Sequence, residues 1–230
     1  WNGRSIYLTA LFHFIHNGLY FVVSRFEDTA QILIDQGPLL AVVGTFVFAL
    51  GLWLFLKVPV DENGHIQYEL DFQSNRFLFL DTNLPKSHQG HYCNKRMTWL
   101  ENKLNVAQSQ DMNVFIFMHH NPLATAEESS DYLGMQEKKE LQSLLLKYSK
   151  NVKHIFFGHQ HLSVSGKLGN ISFSAPRSIS HPLVTNYSKN YRLGTAQTDP
   201  NYNIILIKKD SIIVHTEDFL KQEVEWFETT

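Results

Sequence analysis

The sequence predicts a layered α/β fold, and three observations carry that expectation. Residues 114–118 (Val-Phe-Ile-Phe-Met) and 154–157 (His-Ile-Phe-Phe) are apolar runs of strand length, bounded by polar residues. Each is preceded by a stretch of helical periodicity, 94–106 and about 135–150. Each also passes directly into histidines, His119-His120-Asn121-Pro122 in the first case and Gly158-His159-Gln160-His161 in the second. The order strand, helix, strand, helix, strand belongs to α/β architecture. Open α/β sheets place their chemistry where the strands end.

Taken in order, residues 1–60 differ from the rest, and 61–230 have the texture of a single enzyme-like domain. Residues 37–56 contain no charge over twenty positions, about the length needed to cross a bilayer. Residues 6–23 form a weaker second span, interrupted by His13, His16 and Asn17. One reading is a membrane hairpin. The other takes 39–43 and 46–50 as buried strands parted by Gly44, with 28–35 in a covering helix. A charged leader and small-residue cleavage site are absent, so a secretory signal is not expected. The chain starts at Trp1, which predicts a processed or truncated product.

The alternating segment 65–72 pairs with 76–80 as an antiparallel hairpin around Gln73-Ser74-Asn75. The second strand ends in Asp81-Thr82-Asn83, where Asp81 is expected to order the loop. Met97, Leu100 and Leu104 then share one helical face, as Leu141, Leu144, Leu145 and Tyr148 do in the later helix. Beyond His161, the β-rich pieces 171–173, 202–207 and 211–215 are expected as antiparallel strands on the sheet edge. His154, inside a strand, is expected to be a packed core residue.

Composition narrows the chemistry. At 230 residues and 43% hydrophobic, the chain can bury a sizeable core, which excludes disorder as a general description. A net charge of −2 with scattered Lys and Arg argues against long nucleic acid as a partner. Cys93 is the single cysteine, so neither an internal disulfide nor a cysteine zinc cage can form. A reducing, cytoplasmic setting is expected, membrane-associated if residues 1–57 form the hairpin. Any metal must be held by His, Asp, Asn or Glu. Residues two apart in an extended segment point the same way, about 6.5 Å apart, so His159 and His161 are each expected to serve a different metal, beside the small Gly158.

Phe77-Leu78-Phe79-Leu80-Asp81-Thr82-Asn83, Trp99-Leu100, Met118-His119-His120-Asn121-Pro122 and Phe156-Phe157-Gly158-His159-Gln160-His161 occur in the order and spacing of calcineurin-like metallophosphoesterases. The chain most resembles their class III cyclic-nucleotide phosphodiesterase branch, over about residues 61–218. The resemblance implies a four-layer αββα sandwich and a two-metal centre of iron, manganese or zinc. It implies His119 and His159 on one metal and His161 on the other, with His120, Asn121 and His181 near a small phosphodiester or phosphomonoester, 3',5'-cyclic AMP among them. Hydrolysis would proceed by metal-activated hydroxide attack on phosphorus.

The sequence also departs from the family. The Asp-X-His, Gly-Asp and Gly-Asn-His-Asp/Glu motifs expected in the first half are absent, and residues 1–60 contain only Asp28 and Asp35 as aspartates. Three histidines without a bridging carboxylate leave two metals short of ligands, so a single metal is the other expectation. The alternative function is a catalytically degenerate scaffold acting as a binding or membrane-tethered module. The sequence sets no oligomeric state.

Overall fold

The computed structural model describes residues 59–178, 182–188 and 192–219. The chain divides into two units, Trp1–Ile66 and Gln67–Thr230, and the fold below is that of the second. The candidate spans at 6–23 and 37–56, the strands proposed at 39–43 and 46–50 and the helix at 28–35 all lie outside the described residues. Among the described residues, no helix is long and apolar enough to cross a membrane.

Strands β1 (Tyr68–Phe72) and β2 (Asn75–Phe79) form the expected hairpin, with Gln73 supplying the positive φ of its turn at 54°. Helix α1 (Asn94–Ser109) crosses to β3 (Asn113–Phe117), which lies parallel to β2. Two helices follow, α2 (Glu128–Leu133) and α3 (Lys138–Lys147), before β4 (Val152–Phe156) pairs parallel with β3. The sequence shows one helix over about 135–150; the structure confines it to α3 and adds α2, whose Ser-Ser-Asp-Tyr sequence has no apolar period to reveal it. Strands β5 (Val164–Leu168) and β6 (Ile171–Ala175) complete a six-stranded sheet of order β1-β2-β3-β4-β6-β5.

The distal pieces depart from expectation. Residues 171–173 are not at an edge: β6 lies inside the sheet, parallel to β4. Strands β9 (Asn201–Ile207) and β10 (Ile212–Asp218) pair with each other in a separate two-stranded sheet. Tyr202, Ile204 and Leu206 remain exposed on it, and Tyr202 meets the ring of Phe219, just past β10, at 4.8 Å. A third, short sheet joins β7 (Leu183–Val184) to β8 (Gly194–Thr195).

One face of the large sheet carries the core. Leu78, Val114, Ile116, Val152 and Ile155 meet Leu100 and Leu104 of α1 and Leu141 and Leu145 of α3, all essentially inaccessible to solvent. Burying each such side chain contributes about 1.5–3 kcal/mol. The two helices are also joined by Tyr148 Oη to Asn105 Oδ1 at 2.6 Å. A register shift pairs Val114 with Val152 but Phe115 with His154, so Lys153 is the extra residue of a bulge. The bulge lets both Val152 and Ile155 face the helices and sends His154 and Phe156 to the opposite face. There an aromatic row runs across the strands: Tyr68 to Phe79 at 4.6 Å, Phe79 to Phe117 at 4.9 Å, Phe117 to Phe156 at 4.7 Å and Phe156 to His154 at 4.1 Å.

His154 is a packed histidine, as its position in a strand implied. The Ser172 hydroxyl donates to the Lys153 carbonyl, so it accepts from His154 Nδ1 at 2.8 Å; Nε2 then accepts from Ser174 Oγ at 2.9 Å. The imidazole is held neutral, and burial lowers its pKa to about 4.

Candidate metal centre

Parallel pairing brings the strand ends together. Past β3 and β4 the ladder continues, with Met118 N donating to Phe156 O at 3.0 Å and Gly158 N to His119 O at 3.0 Å. These bonds set His119 beside His159 although forty residues separate them. The two histidines after Gly158 are not extended: His159 and His161 both have left-handed backbone, φ 67° and 54°. The same-side argument from strand geometry therefore fails. Non-glycine residues in that region are uncommon and concentrate at functional sites. Gly158 is also less demanding than expected, because a Cβ there would meet His119 Nδ1 at 3.7 Å, an ordinary contact.

His159 Nε2 lies 3.0 Å from the Leu133 carbonyl, and its Nδ1 lies 3.1 Å from His119 Nε2. A carbonyl only accepts, so Nε2 carries the proton and the lone pair of Nδ1 faces His119. Two nitrogens each about 2.0–2.1 Å from one ion stand about 2.8–3.4 Å apart at angles between square and tetrahedral. The observed separation fits that geometry. A ligand imidazole whose other nitrogen is tied to a carbonyl is the usual outer support of a metal site.

His120 completes a three-histidine group whose ligating atoms lie within 4.8 Å of one another. Its ring is held from both sides. Nδ1 is 2.8 Å from the buried Thr82 Oγ1, and a Cβ on Gly90 would come within 2.5 Å of the ring. Desolvation by burial, then the neighbouring His159 and His119, lower its pKa to about 3, against the opposing pull of a hydrogen bond to the His88 main chain. His159 is lowered to about 4 by burial and then His119, again opposed by the Leu133 carbonyl. His119 stands at the mouth and is lowered by desolvation and by His161. Neutral imidazoles at neutral pH are what a cation requires.

His161 lines the same cleft, of about 590 Å³, but stands outside the three-histidine group. Asn121 does not line it. Its side chain is fully buried, donating to Leu123 O at 2.8 Å and Asp131 Oδ1 at 3.2 Å, with Gly134 packed against the amide. His181 lies outside the described residues. His88, Asn83, Ser87 and Ser130 also line the cleft, and sequence reasoning did not single them out. His88 follows a strand end on the same sheet edge, a position that could have marked it; Ser130 carries no such signal.

Among the described residues lining the cleft there is no carboxylate. The imidazoles therefore fit one ion. A set of imidazoles suits zinc or iron better than manganese, which favours oxygen.

No family model matches the chain. It is 24% identical over 168 residues to a probable cyclic nucleotide phosphodiesterase of Rhodopseudomonas palustris, covering 72% of this chain and 61% of that protein. A glycerophosphodiester phosphodiesterase of Enterobacter lignolyticus is 30% identical over 97 residues, covering 42% of this chain and 34% of its own. The chain thus spans about three fifths or less of the length of these curated relatives. The crystal structure of a dimetal phosphatase from Danio rerio superposes with a TM-score of 0.50 at 13% identity, over 68% of this chain and 59% of that one. This last likeness bears on fold alone: the described sheet and helices supply a sheet layer and a helix layer of the expected αββα sandwich.

Proposed function

From its relationship to the calcineurin-like metallophosphoesterases, we propose that this chain carries the histidine half of a metal-dependent phosphoesterase centre acting on small phosphodiesters. The observation that carries the reading is the 3.1 Å approach of His119 Nε2 to His159 Nδ1, with the His159 tautomer set by Leu133. His119 and His159 would hold one ion, with His120 beside them, and His161, on the wall of the same cleft, would be the ligand offered to a second. When bound, metal supplies Lewis acidity toward a phosphoryl oxygen and lowers the pKa of coordinated water. The chain's own residues do the rest. Thr82 orients His120, and Asn121 ties the loop after His119 to Asp131.

Cyclic AMP is the finer substrate reading; the name of the Rhodopseudomonas relative supports a cyclic nucleotide without specifying the base. The Enterobacter relative's name points to glycerophosphodiesters instead. Roles for His120 and His181 toward substrate belong to the same proposal, as does a cytoplasmic setting fitting the lone Cys93; the buried Asn121 is assigned to ordering its loop instead. A second reading, a scaffold without catalysis, is favoured by one observation, the absence of a carboxylate from the described cleft.

Elemental analysis of the purified full chain, paired with phosphodiester hydrolysis in added manganese, separates the two. Metal at one or two per chain with turnover supports the enzyme. Metal at one or none without turnover overturns it in favour of the scaffold.

A further inference from the structure

Next to the histidine cleft is a second cavity of about 450 Å³, walled by Ser129, Tyr132, Leu133 and Leu193. The two are contiguous, because Leu133 and Leu193 line both. Helix α2 forms the shared wall. It turns Ser130 to the histidine side, and Tyr132 to the other. The Ser130 hydroxyl is buried and finds no hydrogen-bond partner, so a group entering the histidine cleft can satisfy it. Tyr132 and Leu193, 65% and 50% exposed, both line this cavity and leave an apolar surface open to a ligand. The wall is fixed by backbone bonds: Gln89 Nε2 donates to Tyr132 O at 2.8 Å, and Leu133 O receives His159.

We infer that this apolar cavity is the subsite for the alcohol portion of the ester, and that it takes a planar apolar group such as an aryl ring, with Ser130 donating to the phosphate. The inference rests on the phosphoesterase reading for the phosphate's position. Two of the four described walls, Leu133 and Leu193, are wholly apolar and Tyr132 adds a ring face, so the hydroxyls of a glycerol-like alcohol would have the Ser129 and Tyr132 hydroxyls alone to bond, whereas a flat ring can lie against Tyr132 and Leu193.

Two measurements on the full chain test it. Hydrolysis of bis(4-nitrophenyl) phosphate is compared with that of glycerophosphocholine in wild type, Tyr132→Ala, Tyr132→Phe and Leu193→Ala; both sites are exposed, so folding is not at stake. Calorimetric titration with phenyl phosphate and with glycerol 3-phosphate reads affinity without turnover. Wild type should bind phenyl phosphate about tenfold more tightly than glycerol 3-phosphate, the discrimination of roughly one buried apolar group; in hydrolysis, where the nitrophenolate leaving group favours the aryl diester in any case, it is the change in ratio between wild type and variant that is read. Tyr132→Ala and Leu193→Ala should remove most of that ratio and Tyr132→Phe should keep it. Equal affinity for the two phosphates in wild type, or a ratio untouched by Tyr132→Ala, overturns the subsite even where hydrolysis is robust. Preferential phenyl phosphate binding lost in Tyr132→Ala, without hydrolysis of either diester, upholds the subsite and sinks the enzyme reading alone.

Discussion

The Leu133 carbonyl accepts the Nε2 proton of His159 at 3.0 Å, and this bond decides that Nδ1 is the nitrogen presented to His119. A main-chain group at the end of α2 thereby governs the chemistry of a side chain twenty-six residues away. The arrangement gives α2 a role that its weak sequence signal hides.

His159→Ala should therefore remove a ligand and free the Leu133 carbonyl together. Metal content should fall and hydrolysis drop by at least about 100-fold, whereas the loss of an outer support alone costs about 10–100-fold. Elemental analysis and a rate measurement on the same preparation check this. Retained metal with retained rate would remove His159 from the centre.

Gly90 and Gly134 make a sharper pair of tests than Gly158. A Cβ at Gly90 would stand 2.5 Å from the His120 ring, and one at Gly134 would stand 2.4 Å from Asn121 Oδ1, while one at Gly158 meets nothing closer than 3.7 Å. The two crowded segments also pair with each other, Gly90 N to Gly134 O at 3.2 Å and Gln136 N to Gly90 O at 2.9 Å. Gly90→Ala and Gly134→Ala should each cost about 1–3 kcal/mol from overpacking, and Gly158→Ala less than about 0.5 kcal/mol. Denaturant melts of the three variants should rank them in that order.

These glycines show where the sequence was legible and where it was not. Strands β2, β3 and β4 and their histidines were readable because an apolar run and a strand end are local features. The same-side argument for His159 and His161 failed because the chain leaves the extended region at His159, and positive φ is so uncommon in non-glycine residues that the modest enrichment of histidine there does not mark the turn. The grouping of His120 with His119 and His159 depends on Thr82 and Gly90, thirty or more residues away. Asn121 was placed at the cleft by its neighbours in sequence, yet Asp131 draws its amide inward.

Acid should destabilise the metal-free protein through His154. Its folded pKa is depressed to about 4 by burial, from an ordinary value of 6.5. Between those values the unfolded chain binds a proton that the folded chain does not, so stability is full above about pH 6.5 and declines as pH falls toward 4. One such group accounts for a loss of order 2–3 kcal/mol. In chelator-treated protein, where His120 and His159 are depressed in the same way, His154→Phe should lessen the fall in unfolding free energy between pH 7 and 4.5 by its own share. An unchanged slope would remove His154 as its source.

Metal binding should resist mild acid more than three ordinary imidazoles would. Protons compete with metal for imidazole, so three histidines of ordinary pKa would weaken affinity by about 30-fold between pH 7 and 6. Here burial sets His120 at about 3 and His159 at about 4, and His119 is also lowered, so at pH 6 each is already neutral or more nearly so. Affinity measured by zinc titration should fall by no more than about threefold over that interval, with the steep loss displaced to more acid pH. His120→Asn should leave the remaining pair with a shallow pH dependence near neutrality but weaken binding at every pH, as expected for a neutral donor removed from the group. A 30-fold loss between pH 7 and 6 in wild type would show that the three rings titrate as solvated histidines, and that the buried cluster is not what the metal meets.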